Sequence, residues 1–495
     1  MKTSALAERL CVVDPASRIY PNSCFAAGDT TLAVVRVNGV KMLCEAAADA
    51  DALSGNLAGE LQKIGDDTVK LCPFTHANAL ALRELLPWTA PISLRDRKTT
   101  IGCGDRLGLA TPGHIRAARQ FAVAPVLAQQ SIRELTLTGR TYENVVDDVT
   151  FLVLQEGHTD GYGADGDHLK TLDDINVAVD AGMAMITLDL TEKMNADAEK
   201  WSQAEVEAAF AKLAANVQER IVGTYADRTF DLAGETVRIE ALEAKRCAVM
   251  YLAAMDFSRE VYDLLRARRD HAFDLEISID ETEAPTLPAH HLFIIRELLY
   301  RDIEVNSLAP RFIGEFQKAI DYIGDLAEFE RQFRIHCAIA KAHGEYKISI
   351  HSGSDKFSAY PIIGRYTNHR VHVKTAGTSW LEAIRAIAVA DPALYRAMHD
   401  MAFQVLPEAL KLYHITPNLD NIPALADVAD GDLAELMNQD DARQLVHVTY
   451  GGLLNAPEVR DRFFAAMNKD EEVYYGLLEK HFVRHISTLG LAPLA

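Results

Sequence analysis

Long apolar runs are missing from this 495-residue chain: no stretch of about 18 uncharged apolar residues could span a bilayer. The segment Met1 to Leu10 has one lysine and no apolar run of the kind a secretory leader needs, so a signal peptide is not expected. Positive charge is also short, with 50 basic against 71 acidic residues and a formal net charge of -21. Such a surface repels phosphate backbones and anionic membranes unless a local basic stripe intervenes. None is found, since the Arg95/Arg97 pair and the Arg266 to Arg269 run are short and read as solvated helix ends or loops. Neither nucleic-acid nor membrane partners are expected.

Cysteine is sparse. The seven residues Cys11, Cys24, Cys44, Cys72, Cys103, Cys247 and Cys337 are odd in number, scattered and free of any CxxC pair, which fits reduced thiols and a cytoplasmic location. Three nucleotide and nucleophile signatures are absent as well. Gly102-Cys-Gly104 lacks the third glycine of a dinucleotide fingerprint, no GxxxxGK[ST] occurs, and no GxSxG elbow appears. A nucleotide cofactor is therefore not expected. With 49% hydrophobic and 24% charged residues, the chain can bury a large core.

What is present is a rhythm. Residues 1–95 read as an N-terminal α/β appendage without a motif, in which β-like runs such as Thr31 to Arg36 sit among Ala- and Asp-rich helical stretches. From about residue 98, eight short apolar segments alternate with helical patterns: Thr99 to Cys103, Ala122 to Ala128, a weak glycine-rich one near Tyr162 to His168, Met183 to Leu188, Phe273 to Ile279, Ile303 to Leu308, Tyr346 to Ile350 and Arg370 to Thr375. Such alternation predicts parallel βαβ units, and eight of them predict an α/β fold of the (β/α)8 TIM-barrel type over residues 96–400. A helical, acidic insertion is expected at 191–270 between the fourth and fifth strands. A mostly helical extension, with a β-like segment at Leu445 to Tyr450, is expected over 401–495.

Polar residues gather at the carboxyl ends of these strands, where barrel chemistry collects. Period two puts Asp274, Glu276, Ser278 and Asp280 on one face of the fifth strand, Lys347, Ser349 and His351 on one face of the seventh, and His372 and Lys374 on one face of the eighth. The opposite faces are apolar and belong under the helices, so the polar faces should line the barrel interior. Burying charge there costs several kcal/mol unless it is paired or metal-bound. His168 and His351, each at a strand end, are candidate ligands for a divalent cation such as Zn, Mn, Ni or Co, with Asp280 as the third and Glu315 or His372 as alternatives. His290, His291, His336 and His343 fall in helical stretches and read as structural. For proton transfer, Asp167 beside a ligand would be held ionised as acceptor, and Glu276, deeper in the barrel, would have its pKa raised by desolvation as donor. Ion pairing of these acids with Lys347 or Lys374 is the structural alternative. Arg106, Arg311 and Lys374 are candidates for gripping a substrate carboxylate.

Taken together, Gly104-Asp-Arg-Leu-Gly108 with Thr111-Pro112, Gln129-Gln-Ser131, Gly139-Arg-Thr141, Gly163-Ala-Asp-Gly-Asp-His168, Asp280-Glu-Thr-Glu283, Arg311-Phe-Ile-Gly-Glu315, His351-Ser-Gly-Ser-Asp-Lys356 and His372-Val-Lys-Thr-Ala-Gly377 resemble the tagaturonate epimerase family. The resemblance covers about residues 98–455 and little of the first ninety. It implies a metal-dependent isomerase that interconverts D-tagaturonate and D-fructuronate in hexuronate catabolism, acting on a small anionic sugar acid. It also implies Asp167 as proton acceptor, His168 as metal ligand, and Glu276 and His351 as the family's strand-five glutamate and strand-seven histidine. A metal-dependent sugar-acid aldolase would share these residues, and a non-catalytic sugar-acid-binding barrel is the reading outside catalysis. Oligomerisation is possible and has no signature in the sequence.

Overall fold

The computed structural model describes residues 17–47, 50–64, 67–375 and 377–494. The Met1 to Leu10 segment, Cys11 and Ala376 of the last motif lie outside them. Eight parallel strands close into a barrel: β1 (Thr99–Gly102), β2 (Ala124–Ser131), β3 (Gly163–Leu169), β4 (Met185–Asp189), β5 (Asp274–Ile279), β6 (Ser307–Pro310), β7 (Lys347–Ile350) and β8 (Val371–Lys374). Each pairs with its sequence neighbours, and β8 returns to β1. The alternation seen in the sequence reflects this: Leu275, Ile277 and Ile279 of β5 are buried in the apolar core, while Asp274, Glu276 and Ser278 point the other way into the barrel.

The weak third strand has a physical explanation. Pairing of β3 with β4 slips between Ile186↔Gly166 and Leu188↔Leu169, so one extra residue is accommodated on β3, and His168 sits in the left-handed region at φ 57°. Such a bulge bends the strand and re-aims side chains. In a regular strand Asp167 and His168 would face opposite sides; here both reach the mouth.

The barrel's amino-terminal end is plugged by the approach segment. Asp274 accepts from Ser93 Oγ at 2.5 Å and from the Leu94 amide at 2.7 Å, and Lys347 Nζ donates to the Leu94 carbonyl at 3.0 Å. Before this segment lies an antiparallel sheet of six strands between Arg18 and Pro73, followed by helix His76–Leu85. Among the described residues, the Ala- and Asp-rich stretch around Ala46 to Ala52 ends a strand at Ala47 and forms a 3-10 turn at Ala50–Ala52 in place of the expected helix.

Between β4 and β5 stand helices Gln203–Phe210, Ala215–Tyr225 and Ala241–Arg268, together with a hairpin that periodicity overlooked, Arg228–Leu232 against Glu235–Ile239. Its turn residues Ala233 and Gly234 both have positive φ, as a two-residue hairpin turn needs. After β8 the chain is helical to Thr488. The β-like segment expected at Leu445 to Tyr450 is instead the end of helix Asp440–Val448 and the start of helix Tyr450–Leu454. Residues 442–448 are buried on every side, Arg443, Gln444 and His447 included, so neither a period of two nor one of 3.6 marks the segment. Among the described residues, no helix is long and apolar enough to cross a membrane.

Candidate active site

At the carboxyl end of the barrel a cavity of about 440 Å³ is walled by Asp167, His168, Asp280, Arg311, Lys318 and His351, among others. His168 from β3 and His351 from the loop after β7 meet with ring centroids 4.8 Å apart. His168 Nε2 and His351 Nδ1 lie 3.3 Å apart and both face Asp280 Oδ1, at 3.3 Å and 2.9 Å. All three donor atoms fall within 4.8 Å of one another.

Each imidazole is held from behind by a carboxylate. Asp167 Oδ1 contacts His168 Nδ1 at 2.9 Å, and Glu276 Oε1 contacts His351 Nε2 at 2.6 Å. This carboxylate–histidine arrangement fixes which nitrogen faces the shared point and makes it a better donor. Beneath it, Lys374 Nζ lies 2.6 Å from Asp167, 2.9 Å from Glu276 and 3.0 Å from Asp165. The ion pairs weighed as the structural alternative are thus present.

Three expectations change. Glu276 is fully buried and does not line the cavity. Desolvation does work to raise its pKa, but Lys374 and His351 outweigh it and hold it well below the usual carboxylate range. Its carboxylate sits behind His351, apart from the cavity where a donor would meet substrate. Lys374 borders the cavity but is spent on three acids, so it is not a free grip for an anion. Arg106 lies outside the cavity altogether: its Nε donates to Glu134 at 3.0 Å and its guanidinium stacks 3.7 Å from the Tyr450 ring centre, which ties β1's loop to the C-terminal helices.

Arg311 does line the cavity. So does Lys318, which donates to Ser352 Oγ at 2.9 Å. Among the described residues, neither cation has a carboxylate within salt-bridge distance. Burial lowers the pKa of Lys318, and the acids Glu134 and Asp280 counter this only in part. Lys318 escaped the sequence reading because it sits in a loop with no periodicity. Arg133, from helix Ile132–Thr138, and Tyr413 and His414, from a loop far along the chain, also stand at the wall. Asp165 could have been found, since it shares a strand face with Asp167 two residues on. Glu315 is exposed at the rim, and His372 turns to Thr100, so neither replaces Asp280.

Charge provides a test of whether a cation belongs here. Burial opposes ionisation of all four acids and leaves Asp165 raised. Asp167, Glu276 and Asp280 are nevertheless held well below the ordinary range by Lys374 and the two histidines. Burial disfavours protonation of His168 and His351, but the same carboxylates draw their pKa values upward. Without an ion, two imidazolium charges and Lys374 therefore balance the three carboxylates, and a divalent cation on neutral imidazoles would replace those two protons charge for charge. A second donor group, His168 with Asp189 and Glu281, fits less well, because both acids already pair with Lys170 at 3.6 and 3.8 Å.

A closed parallel barrel with polar side chains from several strands converging on one carboxyl-end cavity is the architecture of a TIM-barrel enzyme. A family model described as tagaturonate epimerase matches residues 20–489, well beyond the 98–455 over which the motifs carried the resemblance. The tagaturonate/fructuronate epimerase of Thermotoga maritima is 39% identical over 418 residues, covering 84% of this chain and 86% of that protein. Crystal structures of the fructuronate-tagaturonate epimerase of Cohnella laeviribosi superimpose with TM-scores of 0.93 for a glycerol complex and 0.92 for the native form, both at 44% identity over 99% of this chain and 100% of theirs. The chain belongs to the tagaturonate epimerase family, a family of isomerases.

Proposed function

We propose that this chain interconverts D-tagaturonate and D-fructuronate by inverting C4, with a divalent cation held by His168, His351 and Asp280. The observation that carries this reading is the convergence of three donor atoms, two of them on carboxylate-oriented imidazoles, at the wall of a cavity with two unpaired cations. Two imidazoles and a carboxylate suit Zn, Mn, Ni and Co alike. When bound, such a cation supplies Lewis acidity toward charge developing on the substrate's carbonyl oxygen.

The substrate is a 2-ketose acid whose C4 is β to both the ketone and the carboxylate, so its C4–H is not acidic. A retro-aldol route avoids that bond. Asp167, kept ionised by Lys374, accepts the C4 hydroxyl proton while the C3–C4 bond breaks and its electron pair moves toward the C2 carbonyl. The C4 aldehyde rotates, the C3 carbon re-adds to its other face, and Asp167 returns the proton. Arg311 and Lys318 hold the substrate carboxylate through charge-assisted hydrogen bonds.

Incubation of purified protein with D-tagaturonate, with and without EDTA, tests this. We expect D-fructuronate without accumulating three-carbon fragments, loss of conversion with EDTA, and recovery on adding divalent cation. Net cleavage would make the protein a lyase, and solvent deuterium appearing at C4 would rule out the retro-aldol route.

A further inference from the structure

Away from the mouth, a second cluster joins the helical insertion to the barrel. Helix Ala241–Arg268 carries Glu243 and Cys247 one turn apart on one face, the spacing at which helical side chains are neighbours. His290, in the first turn of helix Pro288–Tyr300, closes on them, with Nε2 2.5 Å from Glu243 Oε1. The three donor atoms of Glu243, Cys247 and His290 lie within 4.8 Å of one another. Cys247 is wholly buried and His290 is 2% exposed.

Two further observations separate this cluster from a plain Glu–His ion pair. His290 Nδ1 is occupied by the Tyr251 hydroxyl at 2.9 Å, which leaves Nε2 turned toward the acid and the thiol, as an outer partner does for a ligating imidazole. Glu199 approaches His290 from the 3-10 turn Ala196–Lys200. Its Oε2 atom is buried, has no hydrogen-bond partner, and lies 3.9 Å from His290 Nε2. That turn is fixed in place by Arg246, whose guanidinium bonds the carbonyls of Ala198, Glu199 and Trp201. Glu243 also pairs with Arg246 at 3.3 Å through its other oxygen, and these ion pairs explain neither the Glu199 oxygen left bare beside His290 nor the thiol.

We propose that Glu199, Glu243, Cys247 and His290 form a closed structural site for Zn²⁺ that pins the insertion to barrel helix Pro288–Tyr300. One sulfur, one imidazole and two carboxylates are all ligand types that zinc takes, and they supply the four donors of a non-catalytic site. With ligand bonds of about 2.0–2.3 Å, tetrahedral donor atoms stand roughly 3.3–3.7 Å apart, so the short Glu243–His290 contact has to open, while the thiol, 4.0 Å from Glu243, and Glu199 have to close in. Binding takes up the thiol as thiolate and releases its proton, so occupancy falls as pH falls. The site is independent of the proposed chemistry at the mouth, whose donors include no sulfur.

That difference provides the test. The purified full-length chain is stripped with chelator and refilled with Co²⁺, and the near-ultraviolet cobalt–thiolate charge-transfer absorption is recorded alongside metal content. The band should appear in the natural chain, persist in His351→Ala, and vanish in Cys247→Ser with the loss of one bound metal per chain. Among the described residues no other cysteine belongs to a group of three such donors. A natural chain without the band, or a Cys247→Ser chain that keeps the band or the full metal content, would overturn the site. Should Cys247→Ser fail to fold, the band in the natural chain and its loss in His290→Gln decide the matter.

Discussion

At the residue scale, the site is a ladder of charges in which each group fixes the next. Lys374 holds Asp167 and Glu276, these hold His168 and His351, and the imidazoles present their free nitrogens beside Asp280. Glu276→Gln keeps the shape but sets an amide donor against the Lys374 ammonium or the His351 ring. Loss of such an orienting carboxylate should weaken metal affinity by about 10- to 100-fold, measurable by competition with a fluorescent chelator. On the proposed reading Lys318 would act on substrate instead. Lys318→Ala should raise KM for the uronate by roughly ten- to hundredfold, the cost of one hydrogen bond to a charged group, while kcat changes less. A variant with unchanged KM would remove Lys318 from the binding role.

At the element scale, the barrel depends on close approaches that only glycine permits. In helix Tyr360–Thr367, a methyl group on Gly364 would fall 1.8 Å from the Leu489 carbonyl oxygen, where the segment after the last helix crosses. That segment then runs on to bond Gln120 through the Leu494 amide at 2.7 Å. Because the obstacle is backbone, Gly364→Ala should destabilise the protein by about 1–3 kcal/mol, seen as a lowered Tm, without altering the mouth. The bulge in β3 belongs to this scale too. The glycines that made the third strand look like a loop and the left-handed His168 are parts of one device, which presents two consecutive side chains to one cavity.

Across the whole molecule, the amino-terminal sheet meets the last helix. Glu471, opening the final helix Glu471–Thr488, is 5% exposed and receives Arg36 at 2.9 Å, Lys41 at 2.7 Å, Tyr20 and Arg18, which ties the amino-terminal sheet to the helical extension. Burial alone would raise its pKa, but Lys41, Tyr20 and Arg36 bring it down to about 2. With the folded value below the ordinary 4.5, the carboxylate's contribution is complete above about pH 4.5 and is lost as pH falls through about 2. Glu471→Gln leaves three cations facing an uncharged amide and should cost about 3 kcal/mol near neutrality. The Tm gap between natural chain and variant should close on acidification; a gap constant from pH 7 to pH 3 would argue against the charge as its source.

The sequence by itself determined the barrel and its polar lining. Strand spacing and period-two patterning are local properties, and they placed all eight strands and the inward faces of β5, β7 and β8. The nearness of His168, Asp280 and His351 followed from the closure those strands imply. Other features depended on neighbours far along the chain, which no local period encodes. Arg106 is held by Glu134 and Tyr450, Glu276 sits behind His351 against Lys374 and away from the cavity, and residues 442–448 form a helix end buried on every side. Lys318 and His414 reached the cavity wall only through tertiary packing. Patterning sets which face of an element is polar, but the partner that a polar group finds there, and hence its charge and its role, is set by the three-dimensional arrangement.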